Sequence, residues 1–370
     1  MPNNTAAWLN RKHGRLEVAP APYTTPGPNE IAVRNAAVAI NSLDWIIQVE
    51  GNLLYGWLKY PMVIGSDVAG EVVEIGSSVT RFQVGDRVLG HAVSSDRDSN
   101  RPADGGFQLY TVLLERMASP IPDSLSFPDA ATLPLAVSTA ACGLFQGDQL
   151  GLDHPRANAK PTGLTVLVWG GSTSVGSQAI QLAVAAGYDV IATASPRNFD
   201  YVRSLGAAEV FDYNGPTVER DIIAALADRR FAGAVSLGAT GAPACVRIAG
   251  AVQGNRFVSI ATPPVTFETL ADAGLGERAR LTAKLIAANI RLQVAARRRG
   301  VRIKYIFGTS LKHNEVSTAI YCDFLPAALA DDRYTIAPKA TVVADGLDSI
   351  QAALDTHRRG VSAQKLVVRL

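Results

Sequence analysis

LVWGGSTSVG, Leu167 to Gly176, decides how the chain reads. An apolar run ending at Trp169 enters a glycine-rich turn, which opens into VGSQAIQLAVAAG, where Val175, Ala179, Leu182 and Ala186 recur at helical spacing. In a strand-turn-helix unit of this kind, free amides and the positive helix terminus meet beside the strand end and hold a ligand pyrophosphate. Gly170, Gly171 and Gly176 allow the tight turn and close backbone approach, and Ser172, Thr173 and Ser174 add hydroxyl donors. The turn departs from GxGxxG, so its weight comes from position as the first crossover of a long series.

That series follows directly. TVLVWG, DVIATAS, EVFDY, AGAVSLG and RFVSIA are short apolar runs separated by helical patterns such as RNFDYVRSLG and VERDIIAALADRR, which predicts a parallel sheet covered on both faces. Upstream, between Glu30 and Asp123, Gly and Pro break the sequence into β-rich runs such as IAVRNAAVAI, AGEVVEIG, DRVLGHAV and GGFQLYTVLL. SLSFPDAATLPLAVSTAACGLF then switches to Ala-rich helical spacing, and the closing QKLVVRL is again β-like and is expected to rejoin the first domain. The expectation is an α/β protein with a discontinuous β-rich domain, residues 1–138 plus 309–370, and an inserted dinucleotide domain, residues 139–308.

At 370 residues, with 48% hydrophobic and 18% charged side chains, the chain can bury a large core. A net charge of +2 gives no reason to expect nucleic acid or a membrane as the main partner. MPNNTAAWLNRKHG lacks the apolar core of a secretory signal, and no 18-residue apolar run occurs, so a cytoplasmic location is expected. Cys142, Cys245 and Cys322 lie too far apart to suggest a disulfide framework or a zinc lobe and are read as buried small residues. The five histidines are scattered.

The second strand of the series speaks to the cofactor. An NAD site usually places Asp or Glu near this strand's end to bind the ribose 2′-hydroxyl. Here TASPRN, Thr193 to Asn198, has no acid, and Ser195 and Arg197 can donate to a 2′-phosphate that an acid would repel. NADPH is therefore expected.

The β-rich half also carries GSDVAGEVVEIG (Gly65 to Gly76), GDRV (Gly85 to Val88) and GGFQLYTV (Gly105 to Val112), followed by the glycine-rich nucleotide fold. In this order they resemble the medium-chain dehydrogenase/reductase superfamily, in its zinc-independent, quinone-reductase-like branch. ASPRNFD, LGAAEVFDY and GVSAQKLVVRL are similar to the fungal stand-alone enoyl reductases that serve polyketide synthases. The resemblance implies a GroES-like β-rich catalytic domain with an inserted Rossmann domain, a doubly wound parallel sheet. Zinc-dependent members have Cys where this chain has Asn41, and His-Glu where it has Ser66-Asp67; neither Asn nor Ser is a normal zinc ligand, so no metal is expected.

The metal-free reaction implied is conjugate reduction, in which hydride reaches the β-carbon of an activated alkene and the α-carbon is protonated. By the same resemblance Leu43, Asp44, Trp45 and Ile46 line the nicotinamide end with Asn41 nearby, and Ser172 to Val175 hold the pyrophosphate. Ser195, Pro196, Arg197, Asn198 and Tyr213 surround the 2′-phosphate and adenosine, while Ser259, Ile260, Gly360 and Val361 close over the cofactor. Thr139, Ala140, Gly308 and Thr309 shape the acyl pocket.

One departure stands out: the polyketide-partner enzymes have Lys where this chain has Ile46, which can donate no proton. The proton would then come from water, from Tyr55 or Tyr60, or from a donor the sequence does not identify. Asn41, Thr139 and Tyr55 are the candidate catalytic residues. The implied partner is a polyketide synthase presenting a carrier-bound substrate, with the protein a monomer or homodimer. ARRRGVRIK, Ala296 to Lys304, reads either as a docking surface for an acidic carrier protein or as a solvated helix end. Two other functions stay open: a free-standing quinone or enone reductase, and a non-redox nucleotide-fold protein that assists a biosynthetic partner.

Overall fold

The computed structural model describes residues 2–51, 53–270 and 273–370. The chain divides into two compact units: Met1–Leu135 with Phe267–Asp272 and Tyr321–Leu370, and Ala136–Thr266 with Ala273–Ile320. The first begins with strands β1 (Asn4–Leu9), β2 (Leu16–Ala21), β3 (Glu30–Ala39), β4 (Met62–Val63), β5 (Asp67–Ile75), β6 (Arg87–His91), β7 (Tyr110–Leu114) and β8 (Ala118–Pro120). The second holds β9 (Leu164–Trp169), β10 (Asp189–Ala194), β11 (Glu209–Asp212), β12 (Arg230–Ser236), β13 (Phe257–Ile260) and β14 (Arg302–Tyr305). The first unit resumes with β15 (Ala340–Asp345) and β16 (Lys365–Arg369).

In the second unit the six strands run parallel in the order β11-β10-β9-β12-β13-β14. This is the doubly wound order, in which the chain steps outward one way from β9 and then the other. The central strands are apolar along their length because helices cover both faces: Val166, Leu167, Val168, Val190 and Ile191 are wholly buried. The expected five runs are all strands. The sixth strand, β14, begins inside ARRRGVRIK: Ala296 to Arg298 end the preceding helix, with Arg297 and Arg298 exposed, and Arg302 to Lys304 start the strand. Its alternation is short and basic, so periodicity gave no warning. A 24-residue helix, Leu275–Arg298, precedes it and packs Leu292 and Ala296 into the core beside Cys245 and Ile248.

In the first unit β3 is the organising strand. It pairs with β5, with β7 and with β16, where Val367 faces Ala39 and Arg369 faces Ala37. The closing QKLVVRL therefore does rejoin the β-rich unit, as an antiparallel neighbour of β3. Cys142 and Cys245 are buried and Cys322 half-buried, all as free thiols. Among the described residues no helix is long and apolar enough to cross a membrane.

Candidate functional site

The glycine-rich turn sits between β9 and the helix Ser174–Ala185, at the carboxyl end of the parallel sheet. Gly170 has φ +90°, a conformation costly for any residue with a Cβ, and its amide donates to Thr193 Oγ1 at 3.0 Å on the neighbouring strand. Gly176 has no room for a side chain, because a Cβ there would overlap the Gly170 carbonyl oxygen. Gly171 donates to the Thr193 carbonyl and is packed among Ile180, Ala192 and Val202. The glycines thus press the helix start onto the strand end.

The three hydroxyls of the turn do not act alike. Thr173 is the helix N-cap: its Oγ1 donates to the Gly170 carbonyl at 2.8 Å and accepts from the Gly176 amide at 3.0 Å. The Thr173 hydroxyl hydrogen is thus committed to the Gly170 carbonyl. Ser174 Oγ, by contrast, is buried with no hydrogen-bond partner. The amides of Ser174 and Val175 open the helix and so have no carbonyl one turn back within it. A buried orphan hydroxyl beside first-turn amides, at the positive end of a helix, fits a phosphate group. Ser172 is half-buried on the same turn.

The tips of β10 and β11 lie alongside. Thr193 faces Trp169 in register, Ala194 faces Asp212, and the Tyr213 amide donates to the Ala194 carbonyl. Ser195, Pro196, Arg197 and Asn198 form the turn after β10, with Arg197 exposed and Asn198 Nδ2 donating to Ser195 Oγ at 3.2 Å. Tyr213 is exposed on the next strand end. Ser259 and Ile260, at the end of β13, are fully buried; Ser259 Oγ donates to the Gly143 carbonyl at 2.9 Å and Ile260 belongs to the core. Both side chains are packing residues, leaving only backbone to face a ligand there.

In the same unit Thr139 lies half-buried on the helix Pro134–Phe145, next to the loop at Gly308. A Cβ on Gly308 would stand 2.7 Å from Thr139 Oγ1, so glycine makes room for that hydroxyl. Thr309 is half-buried beside Gly308, whereas Ala140 is wholly buried. Cys142 Sγ approaches the Phe307 and Gly308 carbonyls at 3.5 and 3.6 Å, and burial pushes its thiol up to about 12, which favours the protonated thiol.

The β-rich unit holds a second polar cluster, around Asn41. Asn41 Nδ2 donates to Asp67 Oδ2 at 2.8 Å, and the Lys365 ammonium donates both to Asn41 Oδ1 and, at 2.8 Å, to Asp67 Oδ2. Asp67 Oδ1 accepts from the Leu135 amide at 2.6 Å. Lys365 and Asp67 are 2% and 0% exposed, so this is a closed ion pair with its hydrogen bonds made inside the protein. Asp44 is buried beside it and caps the helix Ser42–Glu50 by accepting from the Asn41 amide at 2.8 Å. Burial pushes the Asp44 carboxyl up to about 7. Asp44 is thus a helix cap, and Trp45 is buried with Nε1 3.1 Å from His357 Nδ1. Leu43 and Ile46 keep half-buried side chains, and Gly360, with φ +106°, and Val361 lie on the turn before β16.

Tyr55 is half-buried and stacks edge-on against Trp57 at 5.3 Å. Burial first, and then the nearby Glu50 carboxylate, raise its phenol well above the ordinary range, and the same causes push Tyr60 up to about 12. Both phenols hold their protons firmly. Sequence reasoning missed Lys365; its signal is a cation opening the apolar run LVV.

The alcohol dehydrogenase GroES-like domain family matches residues 27–123, the span containing β3 to β8. The chain belongs to the medium-chain dehydrogenase/reductase superfamily, a group of nicotinamide-dependent oxidoreductases. It is 50% identical over 372 residues to the dehydrogenase pigH of Monascus ruber, covering 100% of both chains. It is 37% identical over 374 residues to the trans-enoyl reductase himH of Aspergillus japonicus, with 99% and 97% covered. Among solved structures, the CurK enoyl reductase shares the fold at TM-score 0.71 and 20% identity, with 100% of this chain and 99% of that chain covered.

Proposed function

We propose that this protein is an NADPH-dependent enoyl reductase that acts in trans on an α,β-unsaturated polyketide thioester, without zinc, in the cytoplasm. The observation that carries this reading is the Lys365 ammonium held between Asn41 and Asp67. Where zinc-dependent relatives hold a metal, this chain has an amide, a hydroxyl and a carboxylate already neutralised by a fixed cation. Those three side chains include no thiolate and no imidazole, although His91 stands opposite Asp67 in the β5–β6 register. The chemistry left to such a site is reduction of an alkene conjugated to a carbonyl, which needs no Lewis acid on an alcohol oxygen.

When bound, the dinucleotide supplies the hydride. Ser174 Oγ and the amides of Ser174 and Val175 receive its pyrophosphate, and Ser195 and Arg197 receive the 2′-phosphate. Thr139 Oγ1, kept accessible by Gly308, donates to the thioester carbonyl and so stabilises the charge that develops there. Ile46 supplies no proton, and the tightly held phenol protons of Tyr55 and Tyr60 make both poor general acids, which favours water as the proton source. Names of relatives such as himH support the trans-acting role.

The test is NADPH oxidation with product mass, using short enoyl thioesters and a panel of enones and quinones. Reduction of the thioesters by two hydrogens per NADPH, in protein without stoichiometric zinc, is the expected result. NADPH binding with no turnover of any acceptor would overturn the reductase reading, and preference for free enones or quinones would overturn the polyketide one.

A further inference from the structure

A 2′-phosphorylated adenine dinucleotide carries two anionic groups on one ribose, so a site that grips both must hold two turns at a fixed spacing. In this chain the two turns belong to different elements. Gly170 to Ser174 opens the helix Ser174–Ala185, while Ser195 to Asn198 leads into the helix Phe199–Ser204. The stretch that runs from the end of β10 into this second helix is tied to the glycine-rich turn at both of its ends. At the near end Thr193 accepts the Gly170 amide on Oγ1 at 3.0 Å and the Gly171 amide on its carbonyl at 2.8 Å.

Tyr201 holds the far end. Its half-buried phenol oxygen lies 2.8 Å from Ser177 Oγ, in the first turn of the helix Ser174–Ala185. Ser177 is wholly buried, with Oγ 2.9 Å from the Thr173 carbonyl and 3.3 Å from the Gly171 carbonyl. A serine hydroxyl has one hydrogen, and Thr173, one helical turn back, offers the nearer carbonyl; Ser177 therefore donates there and Tyr201 donates to Ser177. Burial raises the Tyr201 phenol above its ordinary range, which keeps that proton in place. Next along the chain, the wholly buried Val202 stands against Gly171. A helix of six residues is too short to hold its own direction and depends on such contacts for its place.

We infer that Tyr201 is a positioning residue for cofactor selectivity: by fastening the helix Phe199–Ser204 to Ser177, it fixes Arg197, about one turn earlier, at the distance from the pyrophosphate turn that a 2′-phosphate requires. This deepens the NADPH reading and rests on it. A ribose 2′-hydroxyl makes a smaller demand, since it is uncharged and gains less from a well-placed guanidinium. A tyrosine that served the core alone would affect both dinucleotides alike. The mark of the positioning role is the ratio of the two affinities.

Isothermal titration of the full-length protein with NADPH and with NADH tests this. Tyr201→Phe keeps the ring and removes only the hydroxyl. It should weaken NADPH about fivefold, the worth of one hydrogen bond, and change NADH by less than about twofold. Ser177→Ala should shift the ratio in the same direction, and the double variant should lose no more than the larger single loss. In an Arg197→Gln background, where the 2′-phosphate has lost its guanidinium, Tyr201→Phe should make little further difference. Equal losses for the two cofactors, or a loss of NADPH affinity that persists undiminished beside Arg197→Gln, would overturn the proposal and leave Tyr201 a packing residue. So would a Tyr201→Phe variant that keeps the parent's preference for NADPH. A parent protein with no preference for NADPH would overturn the cofactor reading itself, and this proposal with it, so the two failures are told apart by the parent's own titrations.

Discussion

The glycine-rich turn and the Asn41 cluster are both buried polar groups at the ends of strands, yet one is left open and the other is closed. Around Asn41 the amide, the carboxylate and the ammonium satisfy one another. At the turn, the N-cap Thr173 is satisfied within the protein while Ser174 Oγ has no partner and the first-turn amides point outward. An unpaired buried polar group costs free energy that a ligand can recover, whereas a completed cluster has nothing further to gain. On this difference rests our proposal of binding at the turn and stability at the cluster.

That contrast breaks most visibly at Lys365. Lys365→Met leaves the Asp67 charge buried with its cation gone, and should cost about 3–5 kcal/mol in urea unfolding. Lys365→Met combined with Asp67→Asn should recover much of this, since no bare charge remains. If the single variant unfolds like the parent, the cluster is not the structural tie described above. Gly176→Ala comes next: its Cβ must displace the Gly170 carbonyl, so about 3 kcal/mol of stability should be lost together with cofactor affinity. Retained NADPH binding in that variant would mean the turn is not the phosphate site.

Arg197→Glu sharpens the ligand side of the comparison. Arg197 is exposed on the turn after β10, so the change should leave stability nearly untouched. It should weaken NADPH by about 2 kcal/mol, through lost pairing and added repulsion, while NADH changes little. Isothermal titration with both cofactors checks this, and equal losses would remove Arg197 from the 2′-phosphate site.

The parallel sheet was legible because its strands are apolar on both faces and are punctuated by Gly at each turn. β14 was not: RIKY is short, basic and only partly buried, so it resembles the end of the helix before it. The same asymmetry runs through the site. Gly170 and Gly176 could be read from sequence because backbone geometry demands glycine there. The contacts of Asp44, Trp45 and Ser259 were not legible because they depend on which way a side chain turns after packing. Asp44 turns back to cap its own helix, Trp45 turns to His357, and Ser259 finds the Gly143 carbonyl 116 positions earlier. Lys365 stayed hidden for a related reason, since its partner Asp67 is brought to it only by the antiparallel arrangement of β16, β3 and β5.

The smallest expected effect is the most diagnostic. Ser174→Ala removes a hydroxyl that makes no hydrogen bond in the free protein, so unliganded stability should stay level or rise slightly, as expected when an unsatisfied buried polar group is deleted. In the presence of NADPH the same change should lower affinity by about 1 kcal/mol, the net worth of one hydrogen bond to a phosphate oxygen. Thermal melts with and without cofactor therefore separate the two states: the parent should gain more from NADPH than the variant, although the variant starts no lower. A Thr173→Ala control should behave in the opposite sense, losing stability without cofactor because the N-cap contacts to Gly170 and Gly176 go with it. Two neighbouring hydroxyls on one turn would then divide into one that holds the protein together and one that waits for its ligand.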